Sequence, residues 1–318
     1  MEVYDLPISQ REDCFFMSDT ILKINNLTKT YGAKTVLDNV SFEIKRGRIY
    51  GFIGENGAGK TTAIRAITGL SPIKSGSIEL FGKSDKKGLI QARRKIGCLV
   101  ERPILDLRRT ARDNLLSQQL LYGNDDKSQI DKILNRVGLG DVRNKKVGDF
   151  SLGMKQRLGI AMALLNNPEL LILDEPVNGL DPMGMVDVRE LLQSLCQDDG
   201  ITIVISSHIL AELYQLATDY IIISHGRIIS TLSRNELDDL CTTHIIMETE
   251  RNDEAFRILE NSGISTIDSD AGAIRIFDNV DTRDVARLMY DHKILVTHLA
   301  KHERTLEEYY IELLGRGA

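Results

Sequence analysis

The sequence predicts an α/β fold with a parallel sheet, followed by a smaller C-terminal α+β domain. Short apolar runs, such as residues 170–173 and 201–205, alternate with segments of helical periodicity. Strands that are apolar throughout and separated by helices belong to a parallel sheet covered on both faces. The pattern is mainly helical between about 103 and 165, and it changes near residue 230 to the order β-α-β-β-α-β. These observations together predict a large α/β core with a separate second domain.

Three β-rich segments open the patterned part of the chain, at residues 21–27, 36–44 and 48–53. A helix is predicted from Gly59-Lys60 to about Thr68, because Gly69 is well placed to end it. Residues 75–100 predict two further strands around a Lys-rich turn.

Apolar residues at i, i+3 and i+4 spacing then predict three helices, over residues 111–123, 127–139 and 151–166. Asn167-Pro168 ends the last of them, and a buried strand follows. Another helix, over 186–199, separates this strand from the next apolar strand. The alternation is the one expected of a parallel sheet.

Residues 240–318 are predicted to form an accessory α+β domain, since their β-α-β-β-α-β order matches the ferredoxin-like arrangement. A final helix over 305–316 closes the chain. The segment carries no catalytic constellation. We expect a packing or dimer-stabilising module, with a regulatory role as the alternative.

Composition narrows the classes of function. The chain has 318 residues, of which 42% are hydrophobic and 27% charged, as in ordinary globular proteins. Its formal net charge is -6 and it has no long Lys/Arg tract, so we expect no nucleic-acid partner. The four cysteines occur singly, which favours reduced thiols in a cytoplasmic protein.

No segment predicts a membrane span or a secretory signal. The longest apolar runs, such as 220–223, are far shorter than the ~20 residues of a membrane helix. Residues 1–20 are expected to be a disordered leader, with Met17 as an alternative start, and they lack the features of a signal peptide. If the protein works at a membrane, another subunit must span it.

The strongest motif is a phosphate-binding loop. The segment GENGAGKTT satisfies GxxxxGK[ST] and lies between a predicted strand and a predicted helix, which sets it apart from a chance Gly-rich turn. Its glycines allow backbone N–H groups to turn toward phosphate oxygens, and the helix N-terminus adds partial positive charge. Lys60 is expected to reach the β- and γ-phosphates, and the Thr61 hydroxyl to ligate Mg²⁺. The expected ATP-binding residues of the loop are Gly54, Glu55, Asn56, Gly57, Ala58, Gly59, Lys60, Thr61 and Thr62.

Two adjacent acids follow the predicted strand LLIL. Asp174 is placed to hold Mg²⁺, and Glu175 is the candidate general base for an attacking water. A buried carboxylate is costly without a partner, so a nearby cation is the natural compensation. A solvated strand end is the alternative explanation.

On these motifs the chain resembles the nucleotide-binding domains of ATP-binding cassette (ABC) proteins over about residues 21–230. The resemblance implies a P-loop ATPase core with a parallel sheet, an antiparallel β subdomain and a helical subdomain at about 103–165. This ATP-binding domain would occupy residues 21–235. Two expected catalytic residues, Lys60 and Glu175, lie within it.

Further site residues follow only from the resemblance. It implies that Tyr31 stacks on adenine, although an ordinary strand-end tyrosine is the alternative. It implies that Ser151 and Gly153, in FSLGMKQ, belong to the signature loop that caps the partner subunit's γ-phosphate. Asp181 would cross the dimer interface. His208 would be a third catalytic residue that senses the γ-phosphate, with a structural histidine as the alternative.

Two departures from the family pattern point to one branch of it. In the signature loop, Leu152 and Met154 replace a Gly and a Gln. Glu101 stands where the family has a Gln that touches Mg²⁺. A carboxylate can ligate that ion too, so Glu101 is an expected metal ligand. Its negative charge beside the phosphates is expected to tune the rate of hydrolysis. With the ending ERTLEEYYIELLGR, these features resemble the bacitracin- and lantibiotic-type ATPases.

One P-loop and one signature loop occur in the chain. The resemblance therefore implies an ATP-dependent, head-to-tail homodimer with two ATP molecules at its interface. It also implies a separate transmembrane permease, docked near residues 102–122, and a peripheral position at the cytoplasmic face of the membrane. The branch would export, or confer resistance to, membrane-active peptides.

Three alternatives are open. A cassette ATPase acting on ribosomes or DNA without a permease would usually carry two cassettes or long coiled-coil insertions. A P-loop GTPase would carry NKxD in addition to the DxxG that Asp181 to Gly184 satisfies. A nucleotide-gated module that never hydrolyses is disfavoured by the intact Glu175 and His208.

Overall fold

The computed structural model describes residues 19–123, 126–241, 243–264, 267–270, 272–278, 280–303 and 305–316. The predicted leader falls almost entirely on residues 1–18, outside the described residues. The chain divides into two compact units, one of Met1–His208 with Leu216–Thr231 and one of Ile209–Gln215 with Leu232–Ala318. No helix in the described part of the chain is long and apolar enough to cross a membrane.

An antiparallel three-stranded sheet opens the first unit, in the order β2-β1-β4. Its strands are β1 (Thr20–Tyr31), β2 (Lys34–Lys45) and β4 (Ser75–Leu80). Alternate residues of these strands are buried, as a sheet with one solvated face requires. Ile24 of β1 lies opposite Phe42 of β2 and Ile78 of β4, and all three belong to the core.

A six-stranded sheet forms the centre of this unit, in the order β5-β6-β7-β3-β8-β9. The strands are β3 (Ile49–Ile53), β5 (Ile96–Leu99), β6 (Leu170–Asp174), β7 (Thr202–Ser207), β8 (Asp219–Ser224) and β9 (Arg227–Ser233). The pairs from β5 through β8 are parallel, and every residue of β3, β6 and β7 is buried. The predicted parallel sheet is thus confirmed, and its carboxyl edge brings the ends of β3, β6 and β7 together.

The helices of the first unit are α1 (Lys60–Ile67), α2 (Lys86–Arg93), α3 (Ala111–Leu121), α4 (Lys127–Arg136), α5 (Leu152–Leu164) and α6 (Pro182–Gln197). The predicted helical stretch of about 103–165 is confirmed in α3, α4 and α5. It is wrong for residues 103–110, because Thr110 caps α3 in a capping box and the helix begins only at Ala111.

The expected Lys-rich turn is also wrong, since a helix, α2, occupies its place. Its N-cap is Asp85, whose carboxylate accepts hydrogen bonds from the backbone N–H groups of Lys87 and Gly88. These bonds satisfy donors that the first turn of a helix leaves unpaired. The cap therefore allows a helix in a segment with little amphipathic pattern.

The second unit contains a four-stranded sheet in the order β11-β12-β10-β13, and its pairs are antiparallel. Its elements are α7 (Leu210–Leu216), α8 (Arg234–Leu240), β10 (Thr243–Thr249), α9 (Asn252–Asn261), β11 (Ile267–Asp270), β12 (Ala273–Ile276), α10 (Thr282–Asp291), β13 (Val296–Glu303) and α11 (Leu306–Arg316). This is the split β-α-β arrangement that the sequence predicts. Its core includes Met247 of β10, Leu259 of α9 and Met289 of α10.

Candidate nucleotide-binding and catalytic site

The glycine-rich loop joins the end of β3 to the start of α1. A Cβ atom on Gly54 would lie 2.6 Å from the carbonyl oxygen of Ile223. A Cβ on Gly59, whose φ is +114°, would lie 2.8 Å from Cδ2 of Leu37. Gly57 also has a positive φ, of +86°, but a Cβ there would meet nothing within 4 Å. Gly54 and Gly59 are thus required by packing, whereas Gly57 faces open space.

The start of α1 has no side-chain cap, because Gly59 occupies the N-cap position. Its first backbone N–H groups therefore remain available as donors at the positive end of the helix. Such a terminus behind a glycine loop is an anion-binding cradle. The loop fits a phosphate group.

Lys60 is buried, with 6% of its surface exposed. Its Nζ donates hydrogen bonds to the carbonyl oxygens of Gly54, at 2.6 Å, and Glu55, at 3.4 Å. The same atom lies 3.6 Å from Oε1 of Glu175. The ammonium is thereby held under the loop, with a carboxylate on its other side.

Asp174 and Thr61, the two residues predicted to hold Mg²⁺, contact each other directly. Thr61 Oγ1 donates to Asp174 Oδ2 at 2.8 Å, and Ser206 Oγ donates to Asp174 Oδ1 at 2.5 Å. Asp174 is 2% exposed. A carboxylate and a hydroxyl are the oxygen donors that Mg²⁺ prefers, so this pair fits that ion.

Sequence reasoning did not find Ser206. It follows from strand register, because β6 and β7 are parallel neighbours and Asp174 lies opposite Ser206. The hydroxyl in the segment SSH after an apolar strand was the only signal available. Ser206 also supports the next acid, because the N–H of Glu175 donates to its carbonyl oxygen and to its Oγ.

Glu175 and His208 also form a contact, with 2.7 Å between Glu175 Oε2 and His208 Nδ1. One carboxylate oxygen of Glu175 therefore faces Lys60 and the other faces His208. Glu175 has a φ of +51°, a conformation that costs a non-glycine residue about 1–3 kcal/mol. Its two hydrogen bonds to Ser206 stabilise this backbone. The arrangement holds a carboxylate in a fixed direction at the sheet edge, as a general base needs.

Tyr31 lies at the end of β1 and is 48% exposed. The Nζ atom of Lys29 lies 4.6 Å from the centroid of the Tyr31 ring. The Tyr31 hydroxyl lies 3.4 Å from Oγ of Ser71. The described contacts do not join Tyr31 to the glycine loop, so its role toward adenine stays a prediction.

The signature-loop residues and Asp181 lie at helix starts. Ser151 caps α5 by accepting from the N–H of Met154, and Asp181 caps α6 by accepting from the N–H of Gly184. A Cβ on Gly153 would meet nothing closer than 3.9 Å. Among the described contacts, none brings these residues to the glycine loop.

Glu101 forms an ion pair with Arg65 of α1. Its side chain is 62% exposed and its φ is +63°. No contact between Glu101 and Thr61 or Asp174 occurs in the described parts of the chain, so Glu101 as a metal ligand stays a prediction.

A cavity lies elsewhere in the first unit. It has a volume of about 570 Å³ and is lined by Glu169 and Ile201, which precede β6 and β7, and by Arg46. It therefore opens at the amino ends of these strands. The candidate catalytic side chains lie at the carboxyl ends, so this cavity is separate from the candidate site.

Comparison with known proteins gives consistent matches. The family described as ABC transporter matches residues 37–178. The chain is 41% identical over 302 residues to the bacitracin transport ATP-binding protein BcrA of Bacillus licheniformis, covering 94% of this chain and 98% of that protein. It is 44% identical over 234 residues to the lantibiotic transport ATP-binding protein SrtF of Streptococcus pyogenes, covering 73% of this chain and 100% of that protein.

A solved structure is also similar. It is a dimeric ATP-binding cassette in a post-hydrolysis state, bound to ADP and Pi, with a TM-score of 0.60 and 27% identity. The match covers 67% of this chain and 99% of that one. The match to BcrA spans nearly the whole chain, so similarity extends over both compact units.

Proposed function

The chain belongs to the ABC transporter family, and on that premise we propose that it hydrolyses ATP to drive a separate membrane permease. The observation that carries this proposal is the Glu175 carboxylate, fixed between Lys60 and His208 beside the Thr61–Asp174 pair. The names of two relatives, which concern bacitracin and lantibiotic transport, support export of, or resistance to, membrane-active peptides.

The proposed reaction is attack of water on the γ-phosphorus of ATP. A bond forms from the water oxygen to that phosphorus, and the bond to the bridging oxygen breaks, which releases ADP and phosphate. Glu175 accepts the water proton, and His208 holds the other carboxylate oxygen in place. When ATP binds, Lys60 gives up its hydrogen bond to the Gly54 carbonyl oxygen and donates to the phosphate oxygens instead.

Thr61 and Asp174 would hold Mg²⁺, and we propose Glu101 as a further ligand. When bound, the ion neutralises charge that develops on the phosphate oxygens. Ser206 keeps the Asp174 carboxylate oriented through its hydrogen bond to Oδ1.

We propose that the signature loop and Asp181 complete the site of a second copy in a head-to-tail homodimer. The support is that Ser151, Gly153 and Asp181 make no described contact with their own glycine loop. The absence of a Cβ on Gly153 is not required by packing within the chain. A close approach by a partner's nucleotide would require it.

The permease is proposed to dock on residues 102–122, which we call the docking segment. Its exposed apolar side chains include Ile104, which is 93% exposed, and Leu121, which is 81% exposed. Large apolar side chains exposed to this degree are candidates for contact with a partner. The chain would then lie at the cytoplasmic face of the membrane as a peripheral subunit, without a nucleic-acid partner.

Phosphate release by the purified chain tests the enzymatic proposal. We expect Mg²⁺-dependent hydrolysis of ATP that falls at least ~100-fold in Glu175→Gln, as loss of a general base requires. Glu190→Gln, an exposed acid on α6, is the matched control and should keep the wild-type rate. Wild-type turnover in Glu175→Gln would contradict the assignment.

Cross-linking tests the permease. A cysteine at Ile104 or Leu121 should capture a co-expressed permease, whereas a cysteine at Tyr290, which is 81% exposed in the second unit, should not. Sedimentation with membranes only in the presence of the permease would agree. No capture from the docking segment would favour a cassette ATPase that works without a permease.

A further inference from the structure

A buried lysine lies beneath the tyrosine at the end of β1. Lys29 is 7% exposed, and its Nζ donates to the carbonyl oxygen of Pro72 at 2.6 Å. The same Nζ lies 4.6 Å from the centroid of the Tyr31 ring. Among the residues that the structure describes, no carboxylate lies within ion-pair distance of Lys29. Lysines are almost never this buried without a carboxylate partner, so this charge requires another explanation.

The segment after α1 holds both side chains. The N–H of Ser71 donates to the carbonyl oxygen of Arg65 in α1, which ties the segment to the helix that begins at the glycine loop. Lys29 binds this segment through Pro72, and the Tyr31 hydroxyl lies 3.4 Å from Ser71 Oγ. The orientation of the tyrosine ring is thereby linked to the phosphate-binding helix.

We propose that Lys29 is a positioning and specificity residue for the base of the nucleotide. It covers one face of the Tyr31 ring, and since Tyr31 is 48% exposed, the ring keeps accessible surface for a ligand. A cation beneath an aromatic ring attracts the electrons of that ring. The exposed face then becomes less negative, so an electron-rich purine stacks on it more strongly. The inference rests on the proposed binding of ATP.

The test compares ATP with tripolyphosphate, which has the phosphates but no base. Lys29→Met keeps an unbranched side chain of similar length and removes the charge. We expect Lys29→Met to weaken ATP binding by about 3- to 30-fold, with the free energy of a desolvated cation–π contact as the upper bound, and to leave tripolyphosphate binding unchanged. Lys23→Met, on the same strand but half-exposed and paired with Glu43, is the matched control and should leave both affinities unchanged.

A double-mutant cycle identifies the ring as the route of the effect. Tyr31→Leu should itself weaken ATP binding, and adding Lys29→Met to it should weaken binding no further. If Lys29→Met does not fold, Lys29→Gln, a neutral side chain that can still donate to Pro72, serves in its place, with tripolyphosphate binding as the check on folding.

Three results would overturn the inference. Equal losses for ATP and tripolyphosphate would mean that Lys29 serves the loop and not the base. If Lys29→Met weakens ATP binding equally in the wild type and in Tyr31→Leu, the effect of Lys29 does not act through the Tyr31 ring. Absence of any ATP binding by the wild type would instead overturn the proposed function, and the inference with it.

Discussion

The geometry of the candidate site depends on one hydroxyl residue that no motif contains. Ser206 donates to Asp174 and accepts from the N–H of Glu175, so it fixes both acids at once. Contacts with the surrounding structure hold the Glu175 backbone in its strained conformation with positive φ. The two acids therefore take different directions, one toward Thr61 and the other toward His208.

The two glycines with positive φ in the phosphate-binding loop differ in a testable way. Gly59→Ala should lower the free energy of unfolding by about 1–3 kcal/mol from backbone strain, with a further loss from contact with Leu37. Gly57→Ala carries only the backbone strain, because its Cβ would meet open space. Urea unfolding measures both variants. Equal losses in the two variants would contradict this account of the loop.

The structure brings together motif residues that the sequence singles out, whereas the sequence does not reveal the contacts that support them. Lys60, Thr61 and Asp174 are found because chemistry demands those residue types at those positions. Ser206 and Lys29 are not found, because their roles depend on strand register and on a segment distant in sequence. A single sequence does not specify such pairings.

At the scale of elements, α2 shows how tertiary contacts override a weak local pattern. Its segment contains a glycine and little apolar surface, so periodicity predicts no helix. Arg93, at the end of α2, donates to the carbonyl oxygen of Ile67. This carbonyl lies at the C-terminus of α1, where the helix leaves acceptors unpaired. The helix is thus stabilised by a contact that its own sequence does not reveal.

Asp181 has a capping role in the structure and a proposed role across the dimer, and one substitution separates them. Asp181→Ser keeps a good N-cap, so its unfolding free energy should stay within about 0.5 kcal/mol of wild type, whereas Asp181→Ala should lose about 1 kcal/mol. Both should weaken ATP-dependent dimerisation. A serine variant that dimerises like the wild type would show that Asp181 only caps α6.

The ionisation of Glu169 predicts how the stability of the fold changes at acidic pH. Burial raises the pKa of Glu169, but hydrogen bonds from Lys95 and Arg46 outweigh this and hold the pKa below its ordinary value of 4.5. A carboxylate whose pKa is lowered in the folded state stabilises the fold at pH values above its ordinary pKa. This stabilisation is lost as the pH falls through the folded-state pKa. The contribution therefore declines below about pH 4.5.

Glu169→Gln should accordingly be less stable than wild type at pH 7, and its stability should decline less on acidification below pH 4.5. Denaturant unfolding between pH 3 and 7 measures this. Glu190→Gln is the control, and its free energy of unfolding should vary with pH as that of the wild type does. Parallel curves for Glu169→Gln and wild type would contradict the assigned pKa shift.

At the scale of the molecule, the sequence predicts a second domain and the order of its strands and helices along the chain, because periodic segments carry that signal. It does not predict that α7 belongs to the second unit, although α7 begins two residues after His208. The reason is a set of distant contacts. Tyr214 of α7 donates to Asp238 at 2.7 Å, and its ring packs against Arg234, both in α8.

The central claim is a composite site in which Glu175 is the catalytic base and two copies share two ATP molecules. Light scattering of the purified Glu175→Gln chain, with and without ATP and Mg²⁺, tests it most directly. The account predicts a stable dimer with ATP and Mg²⁺ that the wild type forms only transiently. A Glu175→Gln chain that binds ATP but stays monomeric would contradict it.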